Sequence, residues 1–149
     1  MTRRLNYTTI APIGVKALGS VYAYITQSNL PVQLVNQVYL RVSQINGCAY
    51  CIDMHSRDLL KGGLAVEKLV LVSAWREAGS LFDSRERAAL AWAEIVTRVA
   101  DTAIPDGEFA SASAAFSEKE LADLTIAIGL MNAYNRLAIG FRNPPKAAT

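Results

Sequence analysis

Both cysteines and the only histidine of this 149-residue chain fall within eight residues, Cys48-Ala49-Tyr50-Cys51-Ile52-Asp53-Met54-His55. On a helix, positions i, i+3 and i+7 share one face, so the three side chains converge if this segment is helical. The Cys48–Cys51 spacing permits a disulfide within one turn. His55, four residues past Cys51, is placed to take its proton directly or through a water. Asn46-Gly47 breaks the preceding apolar pattern, so a helix opens at Cys48 and puts that residue in its first turn. Unpaired backbone N–H groups and the helix dipole favour a thiolate there. Such surroundings lower a cysteine pKa from about 8.5 to roughly 3.5–7.5. The same residues could instead fill a core, since free cysteine is among the most buried residue types. They could also offer Cys2His to zinc. Asp53 and Asp58 are the local acids, and neither belongs to the i, i+3, i+7 set. Haem attachment through CxxCH is excluded because His55 is not adjacent to Cys51. Dithiol redox chemistry without a metal or an organic cofactor is the reading taken.

The elements that must position these residues read as helix after helix, with no convincing alternating strand. Ile10 to Gln27 is an apolar segment loosened by Gly14 and Gly19. Ser28-Asn29-Leu30-Pro31 is a helix start, and Leu34, Val35, Val38, Val42 and Ile45 recur at three- and four-residue spacing over 31–45. The helix from Cys48 stops at Gly62-Gly63, and Val66 to Arg76 is a short apolar helix. Asp83-Ser84-Arg85-Glu86 and Ser117-Glu118-Lys119-Glu120 are capping boxes. They launch helices over 84–100 and 118 to about 140, with another over 106–115 between them. Trp75 and Trp92 are assigned to the core. Met54 and Leu59 fall on the reverse face of the active helix, Tyr22 and Tyr24 to core or interface, and Asn132 and Asn135 to backbone capping or cross-linking. The chain reads as one all-α domain over 1–149 with short flexible tails near 1–8 and 144–149.

Composition narrows the function classes. With 52% hydrophobic and 19% charged residues, the chain is too apolar to be disordered. A net charge of +2 with no basic stripe argues against nucleic acid as a partner. The uncharged run from Ala17 to Leu40 is long enough to cross a bilayer, but Gln27-Ser28-Asn29-Leu30-Pro31 interrupts it, so no membrane partner is expected. Met1-Thr2-Arg3-Arg4 lacks the apolar stretch a secretory signal needs. A cytoplasmic location follows, where paired cysteines are redox-active or metal-binding rather than structural.

The segment Leu40 to His55, with RxSQING leading into CxxCxxxH, resembles the carboxymuconolactone decarboxylase family, and within it the alkylhydroperoxidase AhpD-like branch. The likeness runs more loosely through Trp75-Arg76-Glu77, Phe82 to Glu94, and Leu124 to Pro145 with Asn132-Ala133-Tyr134-Asn135-Arg136. The resemblance implies an all-helical protein with a two-helix CxxC motif, assembled as trimers or hexamers, that reduces hydroperoxides. By position it makes Cys51 the peroxidatic cysteine, Cys48 the resolving one and His55 the base, with a lipoyl protein or thioredoxin-like dithiol as reductant. Dipole reasoning alone favours Cys48 as the more acidic thiol. The family's proton relay also includes a Glu twelve residues before the first Cys, and that position here is Asn36. Residues 1–52 contain no carboxylate, so a relay acid must come from later in the chain, Glu94 and Glu67 being the guesses, or from a neighbouring subunit. Tyr50 takes a relay position or packs. Weak or altered peroxidase activity is expected. The alternatives are a redox-sensing or interaction module whose disulfide switches assembly, and decarboxylase or lactone chemistry, for which a dithiol has no use.

Overall fold

A computed structural model describes residues 2–146, and among these every regular element is helical. The elements are α1 (Tyr7–Ile10), α2 (Pro12–Thr26), α3 (Val32–Asn46), α4 (Ala49–Lys61), α5 (Val66–Leu71), α6 (Ser84–Thr97), α7 (Val99–Thr102), α8 (Asp106–Ala115) and α9 (Glu118–Gly140). Two 3₁₀ turns, Val72–Glu77 and Gly79–Leu81, lie between α5 and α6. No described helix is long and apolar enough to cross a membrane.

The central element is α3. Its apolar stripe of Leu34, Val35, Val38 and Val42 is buried, and Gln37, Tyr39, Leu40 and Ser43 are buried with it. A helix buried over so much of its circumference needs neighbours on several sides. It has them in α4, α6 and α9. One apolar cluster joins α3 to Trp92 and Ala93 of α6 and to Leu124, Ile128 and Met131 of α9. A second gathers Leu40, Leu59, Trp75, Phe82 and Leu90 beneath the connection to α6. Both capping boxes close as expected, Asp83 with Glu86 and Ser117 with Glu120.

Several boundaries differ from the sequence expectation. The segment expected over 10–27 is split into α1 and α2 at Ala11. Tyr7 and Thr8, expected in a tail, form the start of α1. Arg4 ties the N-terminal segment to the end of α9, donating to the carbonyls of Phe141 at 3.1 Å and Gly140 at 3.0 Å. At the other end Met1 and residues 147–149 lie outside the described residues. The helix expected over 66–76 changes to 3₁₀ winding at Val72, with Ala74 outside helical geometry.

That change of winding serves a buried ion cluster. Glu94 of α6 accepts from Arg41 of α3 at 2.7 Å, from the Trp75 indole at 2.9 Å, and from Arg76. Glu94 is therefore not the solvated helix charge or relay acid that its position suggested. Burial opposes its charge, but these three donors outweigh burial and hold its carboxyl below the usual range. Removing the charge leaves two guanidinium groups facing a neutral amide. Glu94→Gln is expected to lower unfolding stability by about 2–4 kcal/mol in urea denaturation. Glu67→Gln, on the exposed first turn of α5, should stay within about 0.5 kcal/mol.

Candidate active site

The junction between α3 and α4 sets the site. Gly47 ends α3 in the left-handed conformation, at φ 71°, which only glycine adopts without strain. The Cys48 N–H then returns to the Ser43 carbonyl at 2.9 Å. Cys48 lies one residue before the first turn rather than in it. It is the N-cap of α4, and its sulfur accepts the Cys51 N–H at 3.4 Å. A second tie holds the junction to α9: Asn46 donates to Asn132 and Asn135 at 2.9 Å each, and Asn135 donates to Ser43 at 3.1 Å. Both asparagines thus cross-link side chains, and Asn132 alone of the two also donates to a backbone carbonyl, that of Ile128.

Cys48 and Cys51 are joined as a disulfide, with Cα atoms 5.3 Å apart. The two sulfurs are not equivalent. Cys51 lines a cavity of about 300 Å³, whereas Cys48 sits behind it, buried against Ala138 and Tyr50. The cavity is walled by α4 (Tyr50, Met54), α1 and α2 (Tyr7, Tyr22), and α9 (Met131, Tyr134). His55 lines it too and is only 2% exposed. Its ring lies 5.2 Å from that of Tyr39, which stacks in turn on Tyr22. Neither ring nitrogen of His55 has a protein hydrogen-bond partner among the described residues, and both are buried. Burial lowers the His55 pKa to about 4, which keeps the imidazole neutral at neutral pH and able to accept a proton. Burial also raises the hydroxyl pKa of Tyr7 and Tyr134.

Cys51 and His55 thus line one cavity, with Cys48 bonded to Cys51 behind it. The sequence profile of the carboxymuconolactone decarboxylase family matches residues 15–94, more than half of the chain. The chain belongs to this family. Over 143 residues it is 33% identical to the uncharacterized protein YdfG of Bacillus subtilis (strain 168), covering 96% of this chain and 97% of that one. Among solved structures it superposes with a TM-score of 0.93 on a protein of unknown function from Agrobacterium tumefaciens, a candidate AhpD antioxidant defence protein. That pair is 38% identical and covers 97% and 98% of the two chains. The debrominase Bmp8 shares the fold alone, with a TM-score of 0.81 and 19% identity over 95% of this chain and 75% of its own. The fold is AhpD-like.

Within this fold the expected site residues are distributed unevenly. Cys51, His55 and Tyr50 share the cavity. Asn36, at the family's Glu position, lies outside that wall and borders two neighbouring depressions, one with Tyr22 and Tyr39, the other with Asp58 and Leu59. Glu67 is exposed on α5, and Glu94 is committed to its ion cluster. Met54 faces the cavity rather than the reverse face, while Leu59 is buried as expected. Asp58, set aside in the sequence because it falls off the Cys48–Cys51–His55 register, also lines the cavity. Its spacing from Cys51 and His55, i+7 and i+3, was a usable signal. Tyr7, Val15, Met131 and Tyr134 carried none, because only packing brings α1, α2 and α9 over α4.

The buried imidazole also marks the stability profile. An unfolded histidine binds a proton near pH 6.5, whereas folded His55 resists until about pH 4. Below pH 6.5 protons therefore favour the unfolded chain, and stability falls as pH drops, by about 3 kcal/mol at pH 4. Urea denaturation of the oxidised protein against pH should show this loss, and the wild-type minus His55→Gln difference should isolate it.

Proposed function

We propose that the protein is a thiol-dependent peroxidase that reduces organic hydroperoxides through Cys51 and Cys48. One observation carries this reading: Cys51 and an unpartnered, neutral His55 face the same apolar cavity, with Cys48 directly behind. The family membership and the AhpD-like fold support the same chemistry.

In the reduced protein the Cys51 thiol gives its proton to His55. The thiolate attacks the terminal oxygen of the hydroperoxide and the O–O bond breaks. The leaving alkoxide takes the proton back from the imidazolium and departs as an alcohol, leaving Cys51 as a sulfenic acid. The Cys48 thiol attacks that sulfur and expels water, which gives the disulfide. An external dithiol, of the lipoyl or thioredoxin type, restores both thiols by exchange and leaves as its own disulfide. Tyr50 is placed to donate a hydrogen bond to an oxygen in the cavity. Asn36 can orient a water but cannot carry a proton, so turnover is expected to be modest.

The same reading includes a homo-oligomer, of trimers or hexamers as in the family. Ile13 is 84% exposed on α2, Tyr22 and Tyr24 are also exposed, and Ile25 is the single buried residue of that helix. An uncovered apolar helix of this kind marks an interaction surface.

Two experiments follow. Dithiothreitol-driven consumption of cumene hydroperoxide should stop after thiol alkylation. Cys51→Ser should lose at least about 10³-fold of the rate, on the order expected for a lost nucleophile, while Cys48→Ser should accumulate a sulfenic acid that dimedone traps. Unchanged turnover after alkylation sinks the thiol mechanism. In sedimentation velocity, wild type should run larger than one chain and Ile13→Glu should shift toward a smaller species.

A further inference from the structure

The walls around Cys51 are mainly rings, thioethers and aliphatic groups, with the hydroxyls of Thr8 and four tyrosines among them, and among the described residues one carboxylate lines the cavity, Asp58. It lies on the solvent side of the cavity with Thr8 and Tyr22. Asp58 is exposed, whereas Cys51 is 2% exposed at the floor. The same side chain borders two further depressions, one with Asn36 and Gly62, the other with Tyr50, Asp53, Arg57 and Lys146. Arg57 is bonded to Asp53 at 2.9 Å. Among the described residues no cation pairs with the Asp58 carboxylate, and neither lysine nor arginine lines the cavity.

We propose that Asp58 selects by charge what reaches Cys51, admitting neutral organic molecules and turning away anions. A carboxylate-bearing molecule entering here would give up hydration without finding a cation. It would also pass a fixed negative charge between apolar walls, where field lines are focused rather than dispersed by water. A neutral aryl or alkyl hydroperoxide meets neither obstacle, and the aromatic and thioether walls suit its body. Three cations lie near without lining the cavity: Arg57 is engaged by Asp53, Lys146 borders the adjoining groove, and Arg3, whose charge reaches Tyr7 of the wall, donates to Asn6. The imidazole on the cavity floor, neutral at neutral pH, adds no compensating positive charge. The substrate class rests on the peroxidase reading, but the charge filter concerns access to Cys51 and can be measured without peroxide.

The test compares iodoacetamide with iodoacetate, two alkylating agents of similar size that differ in charge. The rate of Cys51 modification in the reduced protein is followed by mass spectrometry of its peptide. Wild type should prefer iodoacetamide more strongly than Asp58→Asn does, the ratio narrowing by about two- to sixfold, as expected for one charge acting over ~8 Å in a screened medium. Added salt should narrow the ratio more in wild type than in Asp58→Asn, where the thiolate's own repulsion of iodoacetate remains, and Asp58→Glu should keep the wild-type ratio. An equal ratio in wild type and Asp58→Asn overturns the proposal. So does a variant in which both rates change together, since that places Asp58 on the reactivity of the thiolate rather than on selection. Turnover of cumene hydroperoxide against its para-carboxylate forms the second arm. If neither is consumed, the peroxidase reading fails while the alkylation ratio still decides the filter.

Discussion

One carboxylate holds the frame. Glu94 collects donors from α3 and from both residues of the Trp75-Arg76 pair, so three segments far apart in the chain meet at two oxygen atoms. A buried charge is costly on its own and tolerable when fully hydrogen-bonded, which makes the arrangement intolerant of drift in any of the three. Fixing Arg41 fixes the roll of α3. The roll of α3 fixes where Gly47 turns the chain, and that turn fixes where the two sulfurs emerge. The asparagine ties from α9 to Asn46 and Ser43 hold the other side of the same junction.

The site places polar chemistry in an apolar setting. Among the described residues no carboxylate or carbonyl orients His55, which is buried against Tyr39. An imidazole with an orienting carboxylate would be a stronger base and would carry a charge more readily. Without one, burial keeps the ring neutral at neutral pH. The position that supplies a Glu in the family holds Asn36, and in this fold it borders adjoining depressions rather than the cavity. Weak intrinsic basicity and an uncharged cavity floor are therefore two aspects of one arrangement.

Much of this was legible in the residues themselves. The CxxCxxxH spacing, both capping boxes and the Asn46-Gly47 break are local signals whose physics acts within one or two turns. Glu94 was misread because position on a helix does not reveal that an arginine 53 residues earlier and a tryptophan from a 3₁₀ turn arrive at the same point. The 66–76 segment looked continuously helical because its apolar pattern is. Its change of winding serves a tertiary contact. The cavity walls from α1, α2 and α9 were illegible for the same reason. Asp58 is the opposite case: its heptad spacing from Cys51 was visible, and attention to a narrower set of positions passed over it.

Cys48 has a second occupation as the cap of α4, its sulfur accepting the Cys51 N–H. The atom that begins the helix is thus the atom that the proposed redox cycle would oxidise and reduce. In the disulfide it still has lone pairs for that N–H, and as a thiolate it is a stronger acceptor. Secondary structure at this point therefore need not melt when the redox state changes. Oxidation trades a better acceptor for a covalent bond across the same turn. A cap that can persist in either state would let the proposed cycle run through the sulfurs while the backbone stands still.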